Sequence, residues 1–325
     1  MSSNQHLERT LAELGERVFN GGAVRRTPAR QGMTGLKIVG AKKAAAAHGS
    51  SNRSTRQSLT ALLKRRPQVL VRISGGGKGI RQVKAHLDYI SRNGQIEVED
   101  QNGDKFNGKD EINTLRDEWQ MGGFPIPESS GVKQAFNIVL SMPAGTNEFG
   151  VRQAAADFAR REFENYQYAM ALHTFDTDPD KNPSPNPHVH LCVKALGLDG
   201  TRLNPRKAEL QRWREGFAQA LRENGIEAEA TKRIHRLQPK RGEKQSVQQK
   251  KARGESFHSI GSTPISAQRI AIARQAQSDV LRGYREIAQA LARSGDPTDR
   301  SLAVALVRHL SPDVAKPGVS PVRER

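Results

Sequence analysis

NPHVHLCVKAL, residues 186–196, decides the fold because it alternates. From residue 188 onward, one set of alternate residues is His188, His190, Cys192 and Lys194. The other is Val189, Leu191, Val193 and Ala195. Successive side chains of a strand point to opposite faces. The stretch therefore predicts a strand with an apolar face for a core and a second face carrying two imidazoles. YAMALHTF (168–175) reads as another strand, with His173 on the face of Ala169, Ala171 and Phe175. The twelve residues between, DTDPDKNPSPNP (176–187), are polar and Pro-rich, as a loop requires. If that loop folds back, the strands pair antiparallel and the three histidines meet.

Working outward, QVLVRIS (68–74) and VKQAFNIVLSMPAG (132–145) read as strands. Val69, Val71 and Ile73, with Phe136, Ile138, Leu140 and Met142, extend the apolar face. Arg72, Ser74, Asn137, Val139 and Ser141 fall on the histidine side, which predicts an open working surface. IRQVKAHLDYISRNG (80–94), KDEINTLRDEWQ (109–120), TNEFGVRQAAADFARREFEN (146–165) and NPRKAELQRWREGFAQALREN (204–224) have helical spacing, the third opened by a Thr or Asn cap and the last with Pro205 in its first turn. QIEVED (95–100) is a short candidate strand, and GGGKG (75–79) a flexible turn. The order predicts a mixed α/β layer with an antiparallel hairpin at its centre.

The flanks differ in charge. Residues 1–66 carry 13 Lys and Arg against 3 Asp and Glu, residues 67–236 carry 23 against 23, and residues 237–325 carry 16 against 8. The excess that makes the chain +18 lies outside the balanced centre, which suggests arms for a polyanion. Residues 4–19 predict a short amphipathic helix, and 20–66 a mostly disordered leader. Residues 237–325 predict a basic helical extension: 240–256 as exposed helix or coil, 265–295 and 301–310 as helices, and 312–325 as disordered. One cysteine, Cys192, excludes an intramolecular disulfide framework and suits a reducing compartment. No apolar run reaches the roughly 20 residues of a membrane span, and the first residues lack a signal-peptide layout. The expectation is a soluble cytoplasmic protein with no integral membrane segment.

Two histidines two apart on a strand aim at one point. A third from the neighbouring strand makes a set of three neutral ligands that leaves positions open on a divalent ion. A lone His-x-His is a weak signal; the third histidine and the polar face strengthen it. Asp176, Asp178 or Asp180 could orient a ligand imidazole from the loop. Tyr89 sits near the end of the first core helix, with His86 and Asp88 nearby. Beside a metal-bound phosphate it could attack phosphorus, although a helix tyrosine more often simply packs its ring.

The ordered combination VRISGGGKGIRQVKAHLDYISRNG, FNIVLSMPAGT, ALHTFDTD and NPHVHLCVKAL resembles the P-type mobilisation relaxases. These are the conjugative-plasmid relaxases and T-DNA border endonucleases of the histidine-hydrophobic-histidine (HUH) superfamily. The resemblance covers about residues 68–236. It implies a five-stranded, mainly antiparallel sheet flanked by helices. It also implies site- and strand-specific nicking and closing of DNA at a plasmid transfer origin, through a covalent 5′-phosphotyrosine, to initiate conjugative transfer or mobilisation. Tyr89 matches the nucleophile, His188 and His190 the paired metal ligands, and His173 the third, with Mg²⁺ or Mn²⁺ as the ion. Asp176 or Asp178 matches the accompanying acid. HTFD has one residue more than the family's His-x-Asp, and the following loop is longer, so both stay open. Asp88 is a further base candidate, and Arg72, Lys84 and Arg92 are the basic residues expected at neighbouring phosphates. The implied partners are single- and double-stranded DNA, accessory relaxosome proteins, and a coupling protein with a type IV secretion channel through which the DNA-linked protein is exported. GGGKG lacks the phosphate-loop pattern of ATPases. Rival readings are a rolling-circle replication initiator and a non-catalytic DNA-binding accessory protein.

Overall fold

The computed structural model describes residues 3–20, 54–236, 254 and 266–311. In chain order the elements are α1 (Ser3–Gly15), a π-helical turn (Glu16–Asn20), α2 (Thr55–Leu63), β1 (Leu70–Gly75), α3 (Ile80–Ile90), β2 (Val98–Asp100), β3 (Lys105–Phe106), α4 (Lys109–Met121), β4 (Ala135–Ser141), α5 (Glu148–Glu162), β5 (Tyr168–His173), β6 (His188–Lys194), α6 (Lys207–Glu223), α7 (Ala267–Ala292) and α8 (Pro297–Leu310). They fall into two units, Arg66–Ala230 and one formed from 1–65 with 231–325.

The first unit is a mixed α/β layer around an antiparallel sheet of order β1-β4-β6-β5-β2-β3. It has six strands where five were expected. The extra one is β3, two residues long and paired with β2 across a tight turn, too short to show a period in the sequence. The apolar face forms as the alternation predicts. Val71, Ile138, Leu140, Val189, Leu191 and Val193 are buried against α5 and α6 through Phe158, Trp213 and Phe217. Asn147 caps α5 by accepting from the Gly150 amide, whereas Pro205 precedes the N-cap of α6, Arg206, instead of sitting in its first turn.

The other face corrects the expectation of an open surface. Part of it is covered by α3 and α4. Val83, Leu87, Ile90, Ile112, Leu115 and Trp119 pack onto Ala135, Ala169, Ala171 and Cys192. Those small side chains let a helix lie close to the strands, and in sequence they look like an undecorated surface. Lys194 is buried at the same layer. Its ammonium donates to the carbonyls of Trp119 and Gly122 and to Gln167 Oε1 at 3.0, 3.1 and 2.8 Å, tying the end of α4 to β6. Burial pushes its pKa down to about 8.

Hydrogen bonds hold the GGGKG turn. Gly77 accepts from the amides of Gln134 and Ala135, and Lys78 donates its amide to Gln82 Oε1. A Cβ at Gly79 would lie 2.1 Å from the Glu128 carbonyl oxygen. The glycines permit close backbone approach, and α3 starts from a fixed point.

In the second unit, α1, α2, α7 and α8 share a core of Leu11, Leu59, Leu62, Tyr284, Ile287, Leu291 and Leu306. Residues 54–63, expected within the disordered leader, form a helix closed by a Ser54–Gln57 capping box. Arg56 forms a two-pronged ion pair with the buried Asp299 and also contacts Glu8, joining three helices far apart in sequence. The readings of 21–53, 237–253, 255–265 and 312–325 lie outside the described residues. Among the described residues no helix is long and apolar enough to cross a membrane.

A covered face makes a specific demand. Ala169→Leu should overpack the contact with α3 and cost about 1–3 kcal/mol in urea denaturation; a change within about 0.5 kcal/mol would mark an exposed position instead.

Candidate metal and nucleophile site

Antiparallel pairing of β5 and β6 sets His173 opposite His188 and Ala171 opposite His190. The imidazoles therefore share one end of one face. Ring centroids are 5.3 Å apart for His173 and His188, 4.6 Å for His173 and His190, and 5.1 Å for His188 and His190. One nitrogen from each lies within 4.8 Å of the others. The 176–187 loop does not separate them, because both of its ends are held. Thr174 accepts from the Asp178 amide, and Met142 donates its amide to the Pro187 carbonyl. Asn186 Oδ1 accepts from the Ala144 amide.

The surroundings fix how the rings point. His188 Nδ1 lies 2.9 Å from the Asn186 carbonyl. A carbonyl only accepts, so Nδ1 carries the proton and Nε2 keeps a lone pair. His173 Nδ1 lies 3.0 Å from Asp178 Oδ2, and its Nε2 lies 2.7 Å from the Ile90 carbonyl. Both neighbours accept, and a neutral ring has one N–H. Only one of these two contacts can therefore be a donated hydrogen bond, and a proton on Nδ1 toward Asp178 leaves the Nε2 lone pair for an ion. His190 Nδ1 is buried with no hydrogen-bond partner among the described residues. Burial lowers the pKa of all three, that of His190 to about 2. Neutral rings with converging nitrogens and an acid behind one of them fit a divalent metal ion.

Of the loop acids, Asp178 takes the supporting place. It is buried, while Asp176 and Asp180 are exposed. Arg92 donates to it from Nε at 2.8 Å and Nη2 at 2.9 Å. Burial alone would raise the Asp178 carboxyl. Hydrogen bonds from Arg92, the Asp180 amide and His173 outweigh that and hold it below the usual carboxylate range. Arg92, expected at a phosphate, is thus turned inward. Its guanidinium carbon also lies 4.7 Å from the centre of the Tyr89 ring. The turn is made by the backbone: Arg92 and Asn93 adopt φ of 50° and 57°, uncommon for residues other than glycine.

Tyr89, in the last turn of α3, stands edge-on to His190 at 5.4 Å, and is 49% exposed. Arg72 is exposed on β1, in register with Val139 and through it with His190, so it shares their face about 10 Å away. Asp88 and Lys84 are half-buried on α3. The sequence reading assigned no role to His86, whose ring stacks on Tyr89 at 6.0 Å. Its spacing of three residues from Tyr89, one helical turn, was the available signal.

Residues 89–226 match the family model "Relaxase: MobA/VirD2-like, nuclease domain". The chain is also 29% identical to the T-DNA border endonuclease VirD2 of Rhizobium radiobacter. The match covers 33% of this chain and spans 29% of that relative's length.

The histidine shifts give stability a pH sign. With folded values below that of a free imidazole, the unfolded chain binds protons first as pH falls. The stabilisation is full above the ordinary histidine value and is lost below it. The depressed Asp178 carboxyl acts in the same direction in more acid solution. The urea midpoint of metal-free protein should fall between about pH 7.5 and 5.5, with a shallower slope in His190→Gln. Equal slopes in the two proteins would remove His190 from this account.

Proposed function

We propose, from the match of residues 89–226 to the MobA/VirD2-like relaxase nuclease model, that the chain nicks one DNA strand at a transfer origin, with Tyr89 as nucleophile. The observation that carries this reading is the placement of an exposed phenol against the wall of a three-histidine cluster, 5.4 Å from the His190 ring.

His173, His188 and His190 would hold the ion. A divalent cation there, Mg²⁺ or Mn²⁺, would polarise the scissile phosphate and offset the charge that develops on it. Asp178 holds His173 by Nδ1, and Arg92 holds Asp178. Arg92 also lies over the Tyr89 ring, a cation beside a phenol that must lose its proton. The Tyr89 oxygen forms a bond to phosphorus, and the bond from phosphorus to the 3′ oxygen breaks. The 5′ end stays on the tyrosine, and the proton that the phenol gives up is balanced by the one that the departing 3′ oxygen takes up. One phosphodiester is exchanged for another, so the same site can rejoin the strand. Arg72, exposed and in register with His190 through Val139, would meet a neighbouring phosphate.

In conjugative transfer or mobilisation, the chain would act with accessory DNA-binding proteins. Joined to its strand, it would then pass to a coupling protein and a type IV secretion channel. The basic flanks supply a salt-sensitive grip on DNA.

Incubation with supercoiled plasmid bearing the native transfer origin and Mg²⁺ should give nicked circles with a protein-blocked 5′ end. Tyr89→Phe should form no adduct, and an adduct in that variant would dismiss Tyr89 as nucleophile. His190→Ala should need at least about tenfold more Mn²⁺ for half-maximal nicking. DNA binding without nicking by the native chain would favour an accessory role instead.

A further inference from the structure

The three histidines differ in one respect. His173 has its Nδ1 on Asp178, and His188 has its Nδ1 on the Asn186 carbonyl. His190 Nδ1 is buried and has no partner among the described residues. Metal-binding histidines are normally oriented by a partner at the second ring nitrogen, which fixes the tautomer. The ring that faces His190 from α3 is His86, with centroids 6.5 Å apart and planes at 72°. Its Nε2 is also buried and likewise without a partner among the described residues. Two enclosed nitrogens therefore lie on facing rings, one needing an acceptor and the other able to accept.

We propose that His86 is the outer hydrogen-bond acceptor of His190. Its Nε2 accepts the hydrogen bond of His190 Nδ1–H through one enclosed water, leaving His190 Nε2 with its lone pair for the ion. This role rests on the metal-site reading above. His86 is a positioning residue and touches neither ion nor substrate. The same ring stacks on Tyr89 at 6.0 Å with planes 18° apart. One side chain of α3 thus fixes the ring of a metal-site histidine while supporting the phenol, coupling the nucleophile's position to the readiness of the ligand set.

The test uses the full chain with two substitutions. His86→Phe keeps a flat ring against Tyr89 but has no acceptor. His86→Gln restores an acceptor carbonyl. In metal-free protein with ¹⁵N-labelled histidine, native His190 should show one dominant tautomer, protonated at Nδ1. His86→Phe should show a mixture, and His86→Gln should return toward the native pattern. Calorimetric titration with Mn²⁺ should show binding weakened by about 10- to 100-fold in His86→Phe and largely recovered in His86→Gln. A native-like His190 tautomer in folded His86→Phe overturns the proposal. The tautomer measurement needs neither metal nor DNA, so it judges His86 even if the native chain takes up no Mn²⁺. Unchanged Mn²⁺ binding in His190→Ala would instead mark a failure of the ligand assignment.

Discussion

The register of β5 against β6 is the constraint on which the site depends. It places His173 opposite His188, with His190 two residues along the same face. Side chains alternate with a period of two, so a slip of one residue would send the histidines of one strand to the opposite face. The apolar alternates prevent that slip. Val189, Leu191 and Val193 must meet α5 and α6, and their burial fixes which side the imidazoles take. The long loop between the strands leaves the register intact because it is anchored where it leaves β5 and where it enters β6. Its length costs little beyond the entropy of closure, which grows slowly with the number of residues.

The second constraint is the seat of α3. Small residues on β5 and β6 let it lie against the strands, and the pinned glycine turn fixes where it starts. Its last turn then supplies several parts of the site at once: the Tyr89 phenol, the His86 ring and the Ile90 carbonyl facing His173. Just beyond it, the left-handed backbone of Arg92 and Asn93 folds the Arg92 side chain back over Tyr89 and onto Asp178. Such backbone conformations are unfavourable for residues with a Cβ. Here the buried two-pronged ion pair with Asp178 offsets the strain. Helix, loop acid and third histidine are thereby linked in one network that runs from Tyr89 through Arg92 and Asp178 to His173.

The flanks show a different limit. Their basic character follows directly from composition. That α1 and α2 share a core with α7 and α8 does not, because the contacts join residues such as Arg56 and Asp299, 243 positions apart. A short helix such as α2 has too few turns to declare itself by periodicity, and it is held largely by tertiary packing.

Alternation alone determined which residues of the four long strands face α5 and α6, because a period of two leaves no choice once one set is apolar. It also determined that the histidines share a face, and the ordered motifs around Tyr89 and His188 identified a relaxase-like chain. Tertiary structure decided the rest. The histidine face proved partly covered, since a row of alanines reads the same whether water or a helix lies above it. Asp178 was chosen over Asp176 because burial and the turned-back Arg92 select it, and neither is a property of local sequence. His86 gained its place only when α3 was laid on the sheet, because the meeting of its ring with His190 depends on packing between segments about a hundred residues apart.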